Sequence, residues 1–258
     1  MKTIGVIGGN GLDNADVMED AHEDQILKDE RDVFLDTPWG QPSSPLRRVN
    51  IAGREVLLLA RHGREHTIPP SQVNYRANIQ ALKQAGCEAI LATTACGSLR
   101  EEIGRGDLVI LDQFIDFTRK RANTFHERFE PHNPVHTSLA DPFDADLRAR
   151  LNAACQALGL THHPRGTLVT IEGPRFSTRA ESHMFRGWGG DVINMSVATE
   201  ATLAMEAGIP YAAVAMSTDY DCWKLDEVPV TWDEILQVFT RNAQRVTRLL
   251  IETIRRLD

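Results

Sequence analysis

A chain of 258 residues with 42% hydrophobic and 25% charged content has the make-up of a globular protein with a large core. Its net charge of −8 and its scattered basic residues argue against a nucleic-acid surface. The longest apolar runs, such as Val56–Ala60 and Tyr211–Met216, are far too short to span a bilayer, and Met1-Lys2-Thr3 leads straight into a strand. The expected location is therefore the cytoplasm, with no membrane partner.

The chain opens with a β-rich run, Thr3–Ile7, that stops at Gly8-Gly9-Asn10-Gly11. A turn this rich in glycine can point several backbone N–H groups into one concavity, which suits an anion, although tight-turn geometry alone would also use these residues. The dinucleotide fingerprint does not fit, because position 14 is Asn. Residues 14–32 are polar and acidic and read as a solvated excursion. Val49–Leu58 alternates around Ala52-Gly53, which predicts a β-hairpin and hence a mixed sheet. Its second strand delivers Arg61 and His62, a guanidinium and an imidazole that could grip an oxyanion; a surface ion pair is the alternative. His62 and His66 have a spacing that could suit a metal on a helix, but Gly63 and the flanking arginines disfavour one, and no metal is expected.

Asn74–Gln84 has helical apolar spacing and ends at Gly86; Ala89–Ala92 reads as a buried strand running into Thr93-Thr94-Ala95-Cys96-Gly97-Ser98. Small hydroxyl residues at a strand end suit a phosphate pocket, though threonine is also simply common in strands. Asp107–Ile115 reads as one strand, and the polar stretch 118–139 after it is long enough to be functional or to reach a neighbouring subunit. A helix over Asp144–Leu158, a strand over Gly166–Ile171, a helix over Thr178–Phe185, a strand over Asp191–Met195 and a helix over Val197–Ala207 follow in turn. Tyr211–Met216 reads as a buried strand, Ser217–Asp221 as the loop after it, and Trp232–Leu257 as one terminal helix. The four cysteines, Cys87, Cys96, Cys155 and Cys222, show no Cys-x-x-Cys spacing and are expected to be reduced.

This alternation predicts a single three-layer α/β/α domain over residues 1–258 with a mixed, largely parallel sheet. Ligands of open α/β sheets bind outside the carboxyl ends of the strands, so the polar segments noted there should converge on one pocket. Arg61, His62, Thr94, Ser196 and the glycine-rich turn would form an anion half. Asp219 and Asp221 would form a base half able to accept from an exocyclic amine and share a proton with a ring nitrogen.

Several of these segments carry a resemblance over nearly the whole chain. Ile7-Gly8-Gly9-x-Gly11-Leu12, Ala60-Arg61-His62-Gly63-x-x-His66, Val73-Asn74-Tyr75-x-Ala77-Asn78-Ile79, Thr93–Glu102, Ile171–Ser177 and Thr218–Trp223 resemble the methylthioadenosine phosphorylases of the trimeric purine nucleoside phosphorylase family. The resemblance implies a nucleoside phosphorylase fold, a homotrimer, and phosphorolysis with inorganic phosphate as co-substrate and no cofactor. It places phosphate contacts at Asn10, Arg61, His62, Thr94, Ala95 and Ser196, the ribose at Met195, and sugar and base at Phe176. Ser177 and Tyr220 belong to the same substrate motifs, Asp219 and Asp221 would recognise adenine and carry the catalysis, and His136 would reach the 5′ end of a neighbour's substrate. This chain departs from the family at Asn10 and Ser196, where hydroxyl and threonine are usual, and at Trp232, where a small residue usually faces the 5′ substituent. A 6-oxopurine nucleoside phosphorylase and a purine-binding protein without turnover are the alternatives; two carboxylates facing a carbonyl oxygen disfavour the first, and Asn10 favours the second.

Overall fold

The computed structural model describes residues 3–8, 26–226 and 232–257. Its strands are β1 (Thr3–Gly8), β2 (Ile26–Val33), β3 (Leu46–Ile51), β4 (Arg54–Ala60), β5 (Cys87–Ser98), β6 (Leu108–Ile110), β7 (Gln113–Phe117), β8 (His162–His163), β9 (Thr167–Ile171), β10 (Val192–Asn194) and β11 (Tyr211–Tyr220). The helices are α1 (Tyr75–Gln84), α2 (Ala145–Ala157), α3 (Arg179–Gly187), α4 (Val197–Ala207) and α5 (Trp232–Arg255).

Helix boundaries follow local chemistry. Asn74 caps α1 by accepting from Ala77 N, Asp144 caps α2 by accepting from Leu147 N, and Thr178 with Glu181 forms a reciprocal capping box on α3. Gly208 closes α4 at φ 72°, a left-handed conformation that glycine adopts without a Cβ penalty. The β3–β4 hairpin turns at Ala52 and Gly53, both at positive φ as a two-residue turn between twisted strands requires.

The strands form one sheet among the described residues, in the order β2, β3, β4, β1, β5, β10, β9, β7, with β11 against β5, β6 against β11 and β8 against β6. β2, β3 and β4 are antiparallel, whereas β1 pairs in parallel with β4 and β5, β5 with β11, and β9 with β7 and β10. The sheet is therefore mixed and largely parallel, as the alternation predicts. Side chains alternate along β11: Ala212, Val214 and Met216 pack with α2 and α5 on one face, while Tyr211, Ala213 and Ala215 pack with α1 and α4 on the other. Helices on both faces make three layers.

Four expectations need correction. Residues 26–33 form an edge strand, since the charged sequence Lys28–Asp32 tolerates the solvent that borders a sheet edge. The single strand expected over Asp107–Ile115 is two: β6 pairs with β11 and β7 with β9, and Asp112 between them accepts from Gly166 N through its side chain. β5 runs on through Ser98 and β11 through Tyr220, so the threonine-rich and Asp219 motifs lie within strands and not in loops. The described part of α5 ends at Arg255.

The long β5 creates the site. β11 covers one of its edges from Ile90 to Ser98; the opposite edge is paired with β1 up to Ala92 and with the antiparallel β10 only at Gly97 and Ser98. Between Ala92 and Gly97 that edge has no strand partner among the described residues, and a cavity opens there.

Candidate active site

The cavity has a volume of about 470 Å³ and lies at the carboxyl ends of β4, β5, β9, β10 and β11. It gathers Arg61, His62, Thr94, Ala95 and Ser196 on one side and Phe176, Ser177, Asp219 and Asp221 on the other, with Met195 also on its wall. The convergence expected of the strand ends is thus observed for every segment except the glycine-rich turn, of which only Gly8 lies among the described residues. Asn10 lies outside them, and of Trp232 only its place at the start of α5 is described.

The anion side is built around a buried ion pair. Arg61 is 1% exposed and Glu200 0%. Arg61 Nε and Nη2 donate to the two carboxylate oxygens of Glu200 at 2.5 and 2.9 Å, and Nη1 donates to Thr93 O at 2.9 Å. Burial, the largest single effect, would lower the guanidinium's pKa, but the charge and hydrogen bonds of Glu200, with smaller contributions from Tyr211 and Tyr75, together outweigh it and hold it above the ordinary value. A guanidinium has five N–H donors and these bonds use three, so part of the fork remains to meet an anion. The expected choice between a phosphate grip and a surface ion pair is therefore resolved differently: Arg61 lines the cavity while anchored internally. Tyr211 Oη also donates to Glu200, at 2.8 Å. Glu200 was not singled out from the sequence; the available signal was an acid within the small apolar residues of α4.

His62 Nδ1 lies 2.8 Å from Ile68 O, and because a carbonyl oxygen only accepts, Nδ1 carries the proton. Burial, then the Arg61 charge, pushes the imidazole down to about 4, so near neutrality Nε2 presents a lone pair. His66, also on the cavity wall, has its ring centroid 4.6 Å from that of His62.

Asn194, fully formed into this network although its role was not foreseen, aligns the hydroxyls. Its Oδ1 accepts from Thr170 Oγ1 at 2.8 Å and from Ser196 N at 3.3 Å, and its Nδ2 donates to Thr94 Oγ1 at 3.1 Å. Ser196 is the N-cap residue of α4 but its side chain makes no capping bond. The positive end of the α4 dipole thus opens on the side of the cavity that also holds Arg61.

On the other side, Ser177 Oγ lies 2.9 and 2.8 Å from the two oxygens of Asp221, to which its single proton donates. Asp221 is 8% exposed. A Cβ on Gly97 would come within 3.2 Å of Ile193 Cγ2 and 3.3 Å of Asp219 Oδ2, so a side chain there would press both back by a few tenths of an ångström.

Tyr220 does not join the site. Its ring packs edge-on to Trp223 under the Lys224 ammonium and its hydroxyl donates to Glu101 O, because strand alternation turns it away from Asp219. His136 is also absent from this chain's own cavity; it lies on the exposed loop, edge-on to Phe129 at 5.5 Å. All four cysteines are free, and no described helix is long and apolar enough to cross a membrane.

Comparison with known proteins gives a consistent result. The family model described as the phosphorylase superfamily matches residues 3–255. The S-methyl-5'-thioadenosine phosphorylase of Danio rerio is 50% identical over 254 residues, which is 97% of this chain and 87% of its own. The methylthioadenosine phosphorylase of Schistosoma mansoni in complex with adenine superposes with a TM-score of 0.90 at 38% identity, covering 98% of this chain and 91% of its own. A variant of the Schistosoma mansoni adenosine/methylthioadenosine phosphorylase in complex with methylthioadenosine superposes at a TM-score of 0.87, with 38% identity and the same coverage of 98% and 91%.

Proposed function

The chain belongs to the phosphorylase superfamily, and within it to the S-methyl-5'-thioadenosine phosphorylases; we propose from this that its cavity carries out the reversible phosphorolysis of 5'-methylthioadenosine to adenine and 5-methylthioribose 1-phosphate. It is a pentosyltransferase of nucleoside salvage. The observation that carries the assignment to this site is the meeting of an anion half and a pair of buried-side carboxylates in one cavity.

Inorganic phosphate, the co-substrate, sits between Arg61, Thr94, Ala95, Ser196 and the α4 N-terminus, with Asn10 as a further contact. A phosphate oxygen that keeps its proton donates to His62 Nε2. Met195 borders the ribose and Phe176 packs on sugar and base. As the bond from C1′ to N9 lengthens, positive charge develops on the sugar and negative charge on the purine, and phosphate adds to C1′. Asp219 in its protonated form donates to N7 of the departing purine. Asp221, held by Ser177, accepts from the 6-amino group. No metal or organic cofactor enters these steps. The four free cysteines suit the reducing cytoplasm, where we place the enzyme.

The substrate order tests the base half. Methylthioadenosine should be cleaved best, adenosine less well and inosine poorly, because both carboxylates favour an amino group over a carbonyl. Equal kcat/KM for inosine and methylthioadenosine would remove Asp219 and Asp221 from base recognition.

The active assembly is a homotrimer in which His136 reaches a neighbour's 5′ subsite. Supporting this, the loop bearing His136 is tied down at its start, where Arg121 Nη2 donates to Glu172 O at 2.7 Å, while Phe129 and Val135 beside His136 remain 48% and 40% exposed. Sedimentation should give three subunits, and a fully active monomer would rule the arrangement out.

A further inference from the structure

Thr218 sits where β11 breaks register with β5. Ser217 pairs with Cys96 and Asp219 with Gly97, so Thr218 is the extra residue of a β-bulge. In a regular strand adjacent side chains point to opposite faces. The bulge cancels this and brings Thr218 Oγ1 within 2.7 Å of Asp219 Oδ1, while Oγ1 also lies 3.2 Å from Cys96 O. Thr218 is 2% exposed and borders the cavity.

A hydroxyl has one proton to donate and lone pairs with which to accept, whereas a carbonyl oxygen only accepts. This leaves two consistent arrangements. When Asp219 carries the proton that it gives to N7 on its other oxygen, Oδ1 is a neutral acceptor that shares the threonine proton with Cys96 O. When Asp219 is a carboxylate, the threonine proton turns to it. We propose that Thr218 is a positioning residue whose hydroxyl proton, shared with Cys96 O beforehand, turns to Asp219 Oδ1 as Asp219 gives its proton to the leaving purine.

No proton leaves Thr218 in this step. The O–H bond of Asp219 breaks as the N7–H bond forms, C1′–N9 breaks as C1′ bonds to phosphate oxygen, and the rotated hydroxyl meets the carboxylate charge as it appears. A hydrogen bond to a charged acceptor is roughly twice as strong as one to a neutral acceptor, so the contact is tighter after proton transfer than before it. Among the described residues, the titratable groups that face Asp219 include Asp221, whose Cβ shares the surface of Gly97 with Asp219 Oδ2, and the Cys96 thiol on β5. Burial, then the Asp219 charge, raises that thiol well above its usual value, so it remains neutral and does not compete.

The inference rests on the phosphorolysis reading. The test is the kcat–pH profile for methylthioadenosine of wild type, Thr218→Val and Thr218→Ser at saturating phosphate, with a melting curve for each. Thr218→Val should lose about ten- to a hundredfold in kcat with KM for both substrates within about twofold. Because the lost donor favoured the charged form of Asp219, the alkaline limb of the profile should move to higher pH. Thr218→Ser, which keeps the hydroxyl, should restore both kcat and the limb. If Thr218→Val does not fold, Thr218→Ala removes the hydroxyl without setting a methyl group against Asp219 and gives the same readings. A kcat loss without a shift of the alkaline limb, or no kcat loss, would overturn the role of Thr218 and leave phosphorolysis standing. A wild-type enzyme that releases no adenine would overturn both.

Discussion

Asp219→Asn will lose about 10²–10⁴-fold in kcat/KM on 5'-methylthioadenosine, the usual contribution of a positioned general acid. Asparagine keeps the shape of the side chain and can donate a hydrogen bond, but it cannot transfer a proton to N7. It also replaces one acceptor oxygen with a donor, which faces a 6-amino group badly and a 6-oxo group well. Activity on inosine should therefore fall less, or rise, while activity on methylthioadenosine collapses. The competing reading is that Asp219 only secures the bulged end of β11 through Thr218. In that case both substrates would fall together and the melting temperature would drop with them. Kinetics on the two nucleosides beside a melting curve separate these outcomes.

Glu200→Ala will cost stability heavily. It leaves the guanidinium of Arg61 buried without its counter-charge and removes the acceptor of Tyr211 Oη. Removing one partner of a buried ion pair typically costs about 3–5 kcal/mol. At this chain length that corresponds to a melting temperature lower by on the order of 10 °C. Arg61→Ala carries a similar penalty from the other side, because Glu200 would be stranded; a raised phosphate KM in that variant must be read beside its melting curve. The double substitution of Arg61 and Glu200 by leucine should recover much of the stability and none of the phosphate affinity. A melting temperature for Glu200→Ala within a degree or two of wild type would show that the pair contributes little to the fold.

The alternation of strands and helices was legible because each helix begins and ends on its own local chemistry, as with Asn74, Thr178 and Gly208. The convergence of Arg61, Thr94, Asn194–Ser196 and Asp219 was legible for a topological reason: each lies in the carboxyl-terminal half of a strand or just beyond it in a largely parallel sheet. What remained hidden depends on partners distant in sequence. Nothing local marks Glu200 as the counter-ion of a residue 139 positions away. The extension of β5 past Ala92 depends on β11 and β10 lying beside it; Thr93 and Thr94 are ordinary strand residues, but the small residues Ala95, Gly97 and Ser98 gave no sign of strand. The bulge at Thr218 is a register event between two strands, so a single strand's pattern cannot reveal it. Tyr220 was grouped with the site by its neighbours in the motif, yet alternation along β11 turns it to the Trp223 side.

The central claim is that the two halves of the cavity act together, one delivering phosphate to C1′ and the other releasing the purine. Its most direct test is adenine release from 5'-methylthioadenosine by the wild-type protein, measured with and without inorganic phosphate, with the sugar product identified in each case. Release should require phosphate and yield 5-methylthioribose 1-phosphate in step with adenine. Release at the same rate without phosphate, with free 5-methylthioribose as the sugar product, would contradict it.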